Sequence, residues 1–325
     1  MSRHDGQPTL GELGEFALIA SVTADLPATA EVQVGPGDDA AVLDLAGPMV
    51  TSMDVLVEGV HFRRDWSSAD DVGRKAVAVN VADLEAMGAR AVGLLVGFSA
   101  PADLPASWAY DFAAGLRAEC ASAGVALLGG DTTRARDITV SVTVLGTLDG
   151  RSPVCRDGAR AGDVVALVGR TGWAAAGLVV LGRGFRSPRV VVEAQRVPEV
   201  AYGAGAVAAR AGASSMIDIS DGLLADLGHV ARASAVVIEL QSEAFPAPEP
   251  LRIVSVATGT DPMALMLTGG EDHALAASFA SVDAVPDGWR VVGRVRDRGH
   301  EEPAGVLVDG SPWSGPGGYA HFRRR

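Results

Sequence analysis

Five apolar segments of this chain end in an acidic residue next to glycine or serine. They are Gly37-Asp38-Asp39, Ser52-Met53-Asp54, Gly130-Asp131-Thr132, Asp218-Ile219-Ser220-Asp221-Gly222 and Gly269-Gly270-Glu271-Asp272. Each pattern predicts a buried strand whose end carries carboxylates. In layered folds, functional sites collect at such strand ends. An isolated cluster of this kind is usually a turn, but five in one chain favour a site that binds cations and anions.

Periodicity predicts that strands and helices are mixed along the whole chain. Residues 138–144 alternate between apolar and polar, which predicts a strand with one buried face. Ser68 and Asp71 form a capping box that predicts a helix ending near Met87. We therefore predict an α/β fold built of α+β layers, with residues 1–150 and 151–325 as two domains. The boundary falls in the Gly-, Pro- and Asp-rich stretch 148–162.

Composition excludes several classes of protein. The net charge of −13 and the pI near 4.9 argue against a nucleic-acid partner. The longest apolar stretches without a charged residue have twelve residues (91–102 and 171–182), too few for a membrane span, and the N-terminus lacks the apolar region of a secretory signal. Two cysteines cannot form a disulfide framework or a four-ligand zinc site, so we expect a reducing cytoplasm.

One carboxylate lies within the helix predicted from Ser68. Asp83 shares the stripe of Val72, Val79 and Met87, and Asn80 lies at its edge. A carboxylate on a buried stripe costs free energy unless it meets a cation or hydrogen-bond donors. Asp83 is therefore either a metal ligand or the partner of an arginine or a neighbouring loop.

The chain lacks the usual lysine-based phosphate sites. Its only lysine, Lys75, lies inside a predicted helix, so a P-loop is excluded, and the protein-kinase motifs are missing as well. Phosphates would have to be bound by metal ions, backbone amides and arginine. Arg156 is one candidate, with a surface salt bridge as the alternative. His61, taken alone, would be an ordinary core or surface residue.

Six segments together resemble the thiamine-monophosphate kinase family, which belongs to a superfamily with aminoimidazole ribonucleotide synthetase, selenophosphate synthetase and the hydrogenase-maturation dehydratase. The resemblance runs from Gly11 to Phe322. The segments are residues 37–41, 54–62, 75–89, 128–133, 217–223 and 269–272.

The resemblance implies ATP-dependent phosphorylation of thiamine monophosphate to thiamine diphosphate. It also implies an N-terminal domain that forms a β-barrel with its copy in a homodimer, and a C-terminal α/β domain. Several Mg²⁺ ions would be held by Asp39, Ser52, Met53 (through its backbone), Asp54, Asp83, Asp131, Asp218 and Asp221. ATP would contact Gly130, Asp131, Arg156 and Ser220, and thiamine monophosphate would contact His61, Glu271 and Tyr319.

Many relatives have threonine where Met53 stands, so a hydroxyl is lost at this position. The acceptor phosphate is largely ionised at pH 7, so we expect direct in-line transfer with no general base and no phosphoenzyme. A sister activity like that of aminoimidazole ribonucleotide synthetase remains an alternative, as does a sensor that binds ATP and metal without turnover.

Overall fold

The chain forms two compact units in a computed structural model that describes residues 8–23, 29–36, 40–315 and 318. Unit 1 comprises residues 1–84 and 90–150, and unit 2 comprises residues 85–89 and 151–325. Asp39 and Tyr319, predicted to bind Mg²⁺ and thiamine monophosphate, lie outside the described residues. No helix in the described ranges is long and apolar enough to cross a membrane.

Unit 1 contains a four-stranded sheet and helices, some of them long. The elements in chain order are α1 (Leu10–Leu13), α2 (Glu15–Val22), β1 (Val32–Val34), β2 (Val42–Leu43), β3 (Met49–Val57), α3 (Ala69–Ala86), β4 (Arg90–Ala100), α4 (Ala106–Ala123), β5 (Ala126–Arg134) and β6 (Thr139–Thr147). The last two residues of α3 belong to unit 2. The sheet has the order β3-β6-β4-β5, so β3 and β5 are its edges.

The two faces of this sheet differ in character. Val140, Val142 and Val144 of β6 are buried, and Phe98 of β4 stacks on the aromatic rings of α4. The opposite face carries large apolar side chains that are more than one third exposed. They are Met49, Met53, Val55 and Leu95. One face is therefore packed under helices, and the other presents apolar surface.

Unit 2 is built on a six-stranded mixed sheet. Its elements are β7 (Val164–Val168), α5 (Trp173–Gly182), α6 (Arg189–Arg196), α7 (Ala204–Arg210), β8 (Ser215–Ile219), α8 (Leu223–Ser234), β9 (Val236–Leu240), α9 (Glu249–Thr258), α10 (Pro262–Thr268), β10 (Ala274–Phe279), β11 (Arg290–Asp297) and β12 (Gly305–Val308). The order is β12-β9-β11-β7-β10-β8, and only the β12–β9 pair is parallel. The core strands β8 and β10 are buried along their whole length.

The strongest sequence patterns are confirmed. The capping box exists as predicted, because the Ser68 N–H donates to Asp71 and the Asp71 N–H donates to the Ser68 hydroxyl, at 2.8 and 3.1 Å. The alternation in 138–144 is the two-faced strand β6. The mixture of helices and sheets agrees with the predicted α/β class. Helices α1, α2, α6, α9 and α10 were not predicted.

Candidate active site

Strand β3 and helix α3 bring three of the predicted ligands of unit 1 together. The Ser52 hydroxyl donates to Asp83 Oδ2 at 2.6 Å. The backbone N–H of Asp54 donates to Asn80 Oδ1 at 2.9 Å. Asp54 and Asp83 are both half-buried, so their oxygens lie where a hard cation could reach them.

The local structure explains why these residues meet. Successive side chains of a strand point to opposite faces, so Ser52 and Asp54 share the face of β3 that packs on α3. Asn80 and Asp83 lie three residues apart on one side of α3. The Asn80 amide is fixed in turn, since its Nδ2 donates to the Ala76 carbonyl at 2.9 Å. Met53 points to the other face and is 57% exposed, which leaves only its backbone carbonyl for this group.

The structure does not place Asp131 with this group within one copy of unit 1. Across the sheet, Asp54 is in register with Val142, Val96 and finally Gly130. At about 4.8 Å per strand, the two edges are roughly 14 Å apart. Asp131 also follows the register of Gly97 and so faces away from α3.

Gly130 and Asp131 instead line an apolar cavity of unit 1. Its other walls are side chains of α2, α4, β4 and β5, including Leu18, Phe98 and Phe112. Gly130 is required by close packing, because a Cβ there would lie 1.9 Å from the Val96 carbonyl oxygen. An apolar cavity therefore lies next to a carboxylate on the edge strand β5.

In unit 2, the segment after β8 is held by buried side chains. Asp218 is 4% exposed, and its Oδ2 lies 3.2 Å from Nδ1 of His273. Asp226 accepts the backbone N–H groups of Asp221 and Gly222 at 3.0 and 3.1 Å. Burial, with the nearby charge of Asp218, raises the pKa of Asp226 to about 7. Asp226 thus fixes the turn that presents Ser220 and Asp221.

The segment 269–273 is tied to that turn. Glu271 has a positive φ of 68°, and its N–H donates to the Ser220 carbonyl at 2.7 Å. Gly270 permits this approach, since a Cβ there would lie 2.4 Å from the same oxygen. Ser220 and Glu271, predicted to contact different substrates, therefore belong to one cross-linked pair of loops in unit 2.

The side chain of Asp272 anchors this pair of loops to helix α5. Its two carboxylate oxygens accept the N–H groups of Gly172 and Ala174 at 2.5 and 2.8 Å. Burial raises the pKa of Asp272 to about 7, although these backbone donors act to lower it. Asp272 therefore holds the backbone that carries Glu271, and both of its carboxylate oxygens are engaged in these hydrogen bonds.

The remaining predicted residues have simpler surroundings. Arg156 is exposed on a short 3₁₀ helix of unit 2 (Arg156–Gly158), with a side chain accessible to an anion. His61 follows β3, and its Nδ1 accepts the Val57 N–H at 3.0 Å. Within the described ranges, no three histidine, cysteine or acidic side chains already form a metal cluster.

The supporting roles of Asn80, Asp226 and Asp272 were not predicted from the sequence. An acidic residue in the first turn of a helix that follows Asp-Gly is a signal for Asp226, because such residues accept the loop's N–H groups. Asp272 offered no comparable signal, since its partners are about 100 residues away in the chain.

Comparisons with known proteins agree on one family. Profiles of the AIR synthase related protein N-terminal and C-terminal domains match residues 37–148 and 160–305. The thiamine-monophosphate kinase of Mycobacterium tuberculosis (strain ATCC 25618 / H37Rv) is 49% identical over 317 residues, or 97% of this chain and 93% of that protein. The enzyme of that name from Aquifex aeolicus is 33% identical and covers 96% of this chain and 99% of its own length.

Solved structures give the same result. AaThiL complexed with AMPPCP and TMP superposes with a TM-score of 0.79 at 32% identity, covering 98% of this chain and 100% of that one. The thiamine-monophosphate kinase from Stenotrophomonas maltophilia K279a gives a TM-score of 0.77 at 32% identity, covering 90% and 95%. The chain belongs to the thiamine-monophosphate kinase family.

Proposed function

We propose that this chain transfers the terminal phosphoryl group of ATP to thiamine monophosphate, giving thiamine diphosphate and ADP. The observation that carries the proposal is the preformed oxygen group of Ser52, Asp54 and Asp83. It occurs in a chain 32% identical to AaThiL, which was crystallised with AMPPCP and TMP. This reaction is the last step in making thiamine diphosphate.

The donor chemistry of the site fits magnesium. Every proposed side-chain ligand offers oxygen, as hard divalent cations require, and none offers sulfur or nitrogen. In unit 1 we assign the ions to Ser52, the Met53 carbonyl, Asp54, Asp83 and Asp131, with Asp39 added from the sequence. In unit 2 we assign them to Asp218 and Asp221. When bound, Mg²⁺ offsets the negative charge of the two phosphate groups that must approach each other.

The residues of the chain position the substrates and the metal ligands, and none of them has to transfer a proton. A phosphate monoester has a second pKa near 6, so its attacking oxygen is largely ionised at pH 7 and needs no general base. Asn80 fixes the backbone that presents Asp54, and Ser52 fixes the carboxylate of Asp83. We propose that Arg156 and Ser220 bind ATP, and that His61, Glu271 and Tyr319 bind thiamine monophosphate. Transfer is in line and direct, without a phosphoenzyme.

The apolar cavity of unit 1 is where we place the adenine ring. Leu18, Phe98 and Phe112 offer the apolar walls that a purine face requires, and Gly130 and Asp131 stand at the same cavity. The phosphates of the nucleotide would then extend from the apolar cavity towards Asp131 on the edge strand β5.

The chain acts, we infer, as a homodimer whose N-terminal sheets close a β-barrel. Two features support this: the apolar face of Met53, Val55 and Leu95 is exposed, and β3 and β5 are open edges. In a barrel with its twofold axis along the barrel, the β5 edge of one copy adjoins the β3 edge of the other. Asp131 of one copy then lies on the strand next to β3 of its partner, although Asp131 and Asp54 are on opposite edge strands of one sheet.

Release of ADP tests the activity. We expect Mg²⁺-dependent ADP release from ATP that requires thiamine monophosphate, and no trapped phosphoprotein in rapid-quench labelling. ATP binding without turnover would favour the sensor. ADP release that requires an aminoimidazole precursor would favour the sister activity, and either result would overturn the kinase.

Mixed dimers test the shared site. Asp54→Asn and Asp131→Asn are each expected to be inactive alone. After subunit exchange, a hybrid dimer has one site with both aspartates intact, so a 1:1 mixture should recover roughly a quarter of the wild-type activity. No recovery, with hybrids confirmed by mass, would place both acids in one copy.

We place the reaction in the cytoplasm. Cys155 is an exposed free thiol and Cys120 a buried one, which suits a reducing compartment.

A further inference from the structure

The only lysine of the chain is the most deeply buried charged side chain in the described ranges. Lys75 lies in α3 and is 2% exposed, whereas the other 26 basic residues that make up the total of 27 are arginines. Burial of an ammonium group costs free energy unless it is hydrogen-bonded. An ammonium is a compact point charge, which the planar guanidinium cannot replace without repacking. A single lysine at a buried position points to a specific task.

The ammonium group of Lys75 holds the turn that carries His61. Lys75 Nζ donates to the His61 carbonyl at 3.2 Å. In the same turn, the His61 N–H donates to the Val57 carbonyl at 3.0 Å. The Val57 N–H donates to His61 Nδ1 at 3.0 Å. Hydrogen bonds therefore hold the backbone N–H, the backbone carbonyl and the Nδ1 atom of His61.

These contacts determine the protonation of the imidazole ring. A ring nitrogen that accepts an N–H cannot carry a proton itself, so Nδ1 is unprotonated. The proton of the neutral ring then resides on Nε2. His61 is held as a neutral Nε2–H donor.

We propose that Lys75 is a positioning residue for the acceptor substrate, because it fixes the turn in which His61 offers its Nε2–H. This inference rests on the proposed function, in which His61 contacts thiamine monophosphate. A neutral N–H donor suits a phosphate oxygen or a pyrimidine nitrogen. It also adds no positive charge beside the thiazolium ring of the substrate.

Steady-state kinetics separate this role from a general effect on folding. Lys75→Met keeps the length of the side chain and removes its charge and donors. We expect its KM for thiamine monophosphate to rise about tenfold, the size of one lost charged hydrogen bond, with the KM for ATP within about twofold. Lys75→Arg should recover part of the loss, because it restores a cationic donor.

The neighbouring residue provides the matched control. Arg74 also lies on α3, but its guanidinium pairs with Glu119 at 2.9 Å and is 42% exposed. Arg74→Met removes a cation from the adjacent position and should leave the ratio of the two KM values unchanged, even if it lowers the melting temperature. An equal rise of both KM values in Lys75→Met would contradict the positioning role.

Nuclear magnetic resonance gives a readout that does not need the Lys75 variants to fold. Protein labelled with ¹⁵N-lysine has a single lysine side-chain signal. Thiamine monophosphate should shift that signal, and an ATP analogue alone should not. In ¹⁵N-histidine spectra of the ligand-free protein, assigned with His61→Gln, His61 should show an unprotonated Nδ1 and a protonated Nε2.

Each outcome bears on the inference. The inference is overturned if His61 has the opposite tautomer. It is also overturned if the lysine signal does not shift when thiamine monophosphate binds. Both results can be obtained even if Lys75→Met fails to fold. If the wild type neither binds nor phosphorylates thiamine monophosphate, the proposed function fails instead. The tautomer measurement still tests the geometry of the turn that carries His61 in that case.

Discussion

The acidic groups of the two units look alike in sequence and differ in what their carboxylates do. In unit 1, Asp54 and Asp83 are half-buried; Asp83 accepts the Ser52 hydroxyl, and the backbone N–H of Asp54 donates to Asn80. In unit 2, Asp226 and Asp272 are buried and accept backbone N–H groups. We propose that the first pair binds cations, whereas the second pair holds loops in place. Aspartate therefore has two different uses in one protein.

The largest expected effect tests whether the two carboxylates of unit 1 act in catalysis. Asp54→Asn or Asp83→Asn should lower kcat about 100-fold or more, because each removes a negative charge that would hold the Mg²⁺ ions, and these ions offset the charge of the transition state. The free energy of unfolding should change by less than about 1 kcal/mol, since the asparagine side chain keeps the size of aspartate and an oxygen that accepts a hydrogen bond. ADP release at saturating Mg²⁺ and urea unfolding measure the two quantities. Asp70→Asn, on the same helix, is the control, and near-wild-type turnover in both test variants would contradict the ligand assignment.

The same substitution in unit 2 should act mainly on stability. Asp272→Asn replaces one of two accepting oxygens by an amide nitrogen, which cannot accept the second N–H. We expect a loss of about 1–3 kcal/mol of unfolding free energy. The folded fraction should lose much less activity than Asp54→Asn. An unchanged urea midpoint would show that Asp272 does not anchor the loop to α5.

The effect of Mg²⁺ on the melting temperature should also distinguish the carboxylates of the two units. Cation binding to the folded state stabilises it by mass action, so the melting temperature of the wild type should rise by a few degrees with millimolar Mg²⁺. Asp83→Asn should lose part of this rise, whereas Asp272→Asn should keep all of it. Equal shifts in all three proteins would place the ion elsewhere.

The smallest effect is expected at Met53, which points away from Asp83. Met53→Thr should change kcat by no more than about twofold, because only the backbone carbonyl faces the oxygen group. A large gain in activity would show that a hydroxyl at this position does reach the ions.

Local patterns were enough to predict part of this molecule. The capping box of Ser68 and Asp71 and the alternation of β6 depend on neighbours in sequence, and both are found. Asp83 was selected from its helical stripe in the same way, and its role as a metal ligand stays a prediction. Helices such as α9 and α10 went unpredicted because their short apolar runs form no long periodic stretch.

Long-range packing accounts for what the sequence did not reveal. Whether a carboxylate binds backbone or cation depends on what packs beside it, and Gly172 is 100 residues from Asp272. Strand order likewise separates Asp131 from Asp54, and no pattern in the sequence specifies that order. The acids were therefore identifiable as a set, but not as separate groups with separate tasks.

Strand β3 has a consequence for how this chain can vary. Its odd-numbered positions present apolar surface, and its even-numbered positions present Ser52 and Asp54 to α3. Insertion or deletion of one residue within 49–57 would exchange the two sets, turning methionine towards Asp83 and carboxylates outward. The length of this strand should consequently be far less tolerant of change than the identity of its exposed side chains.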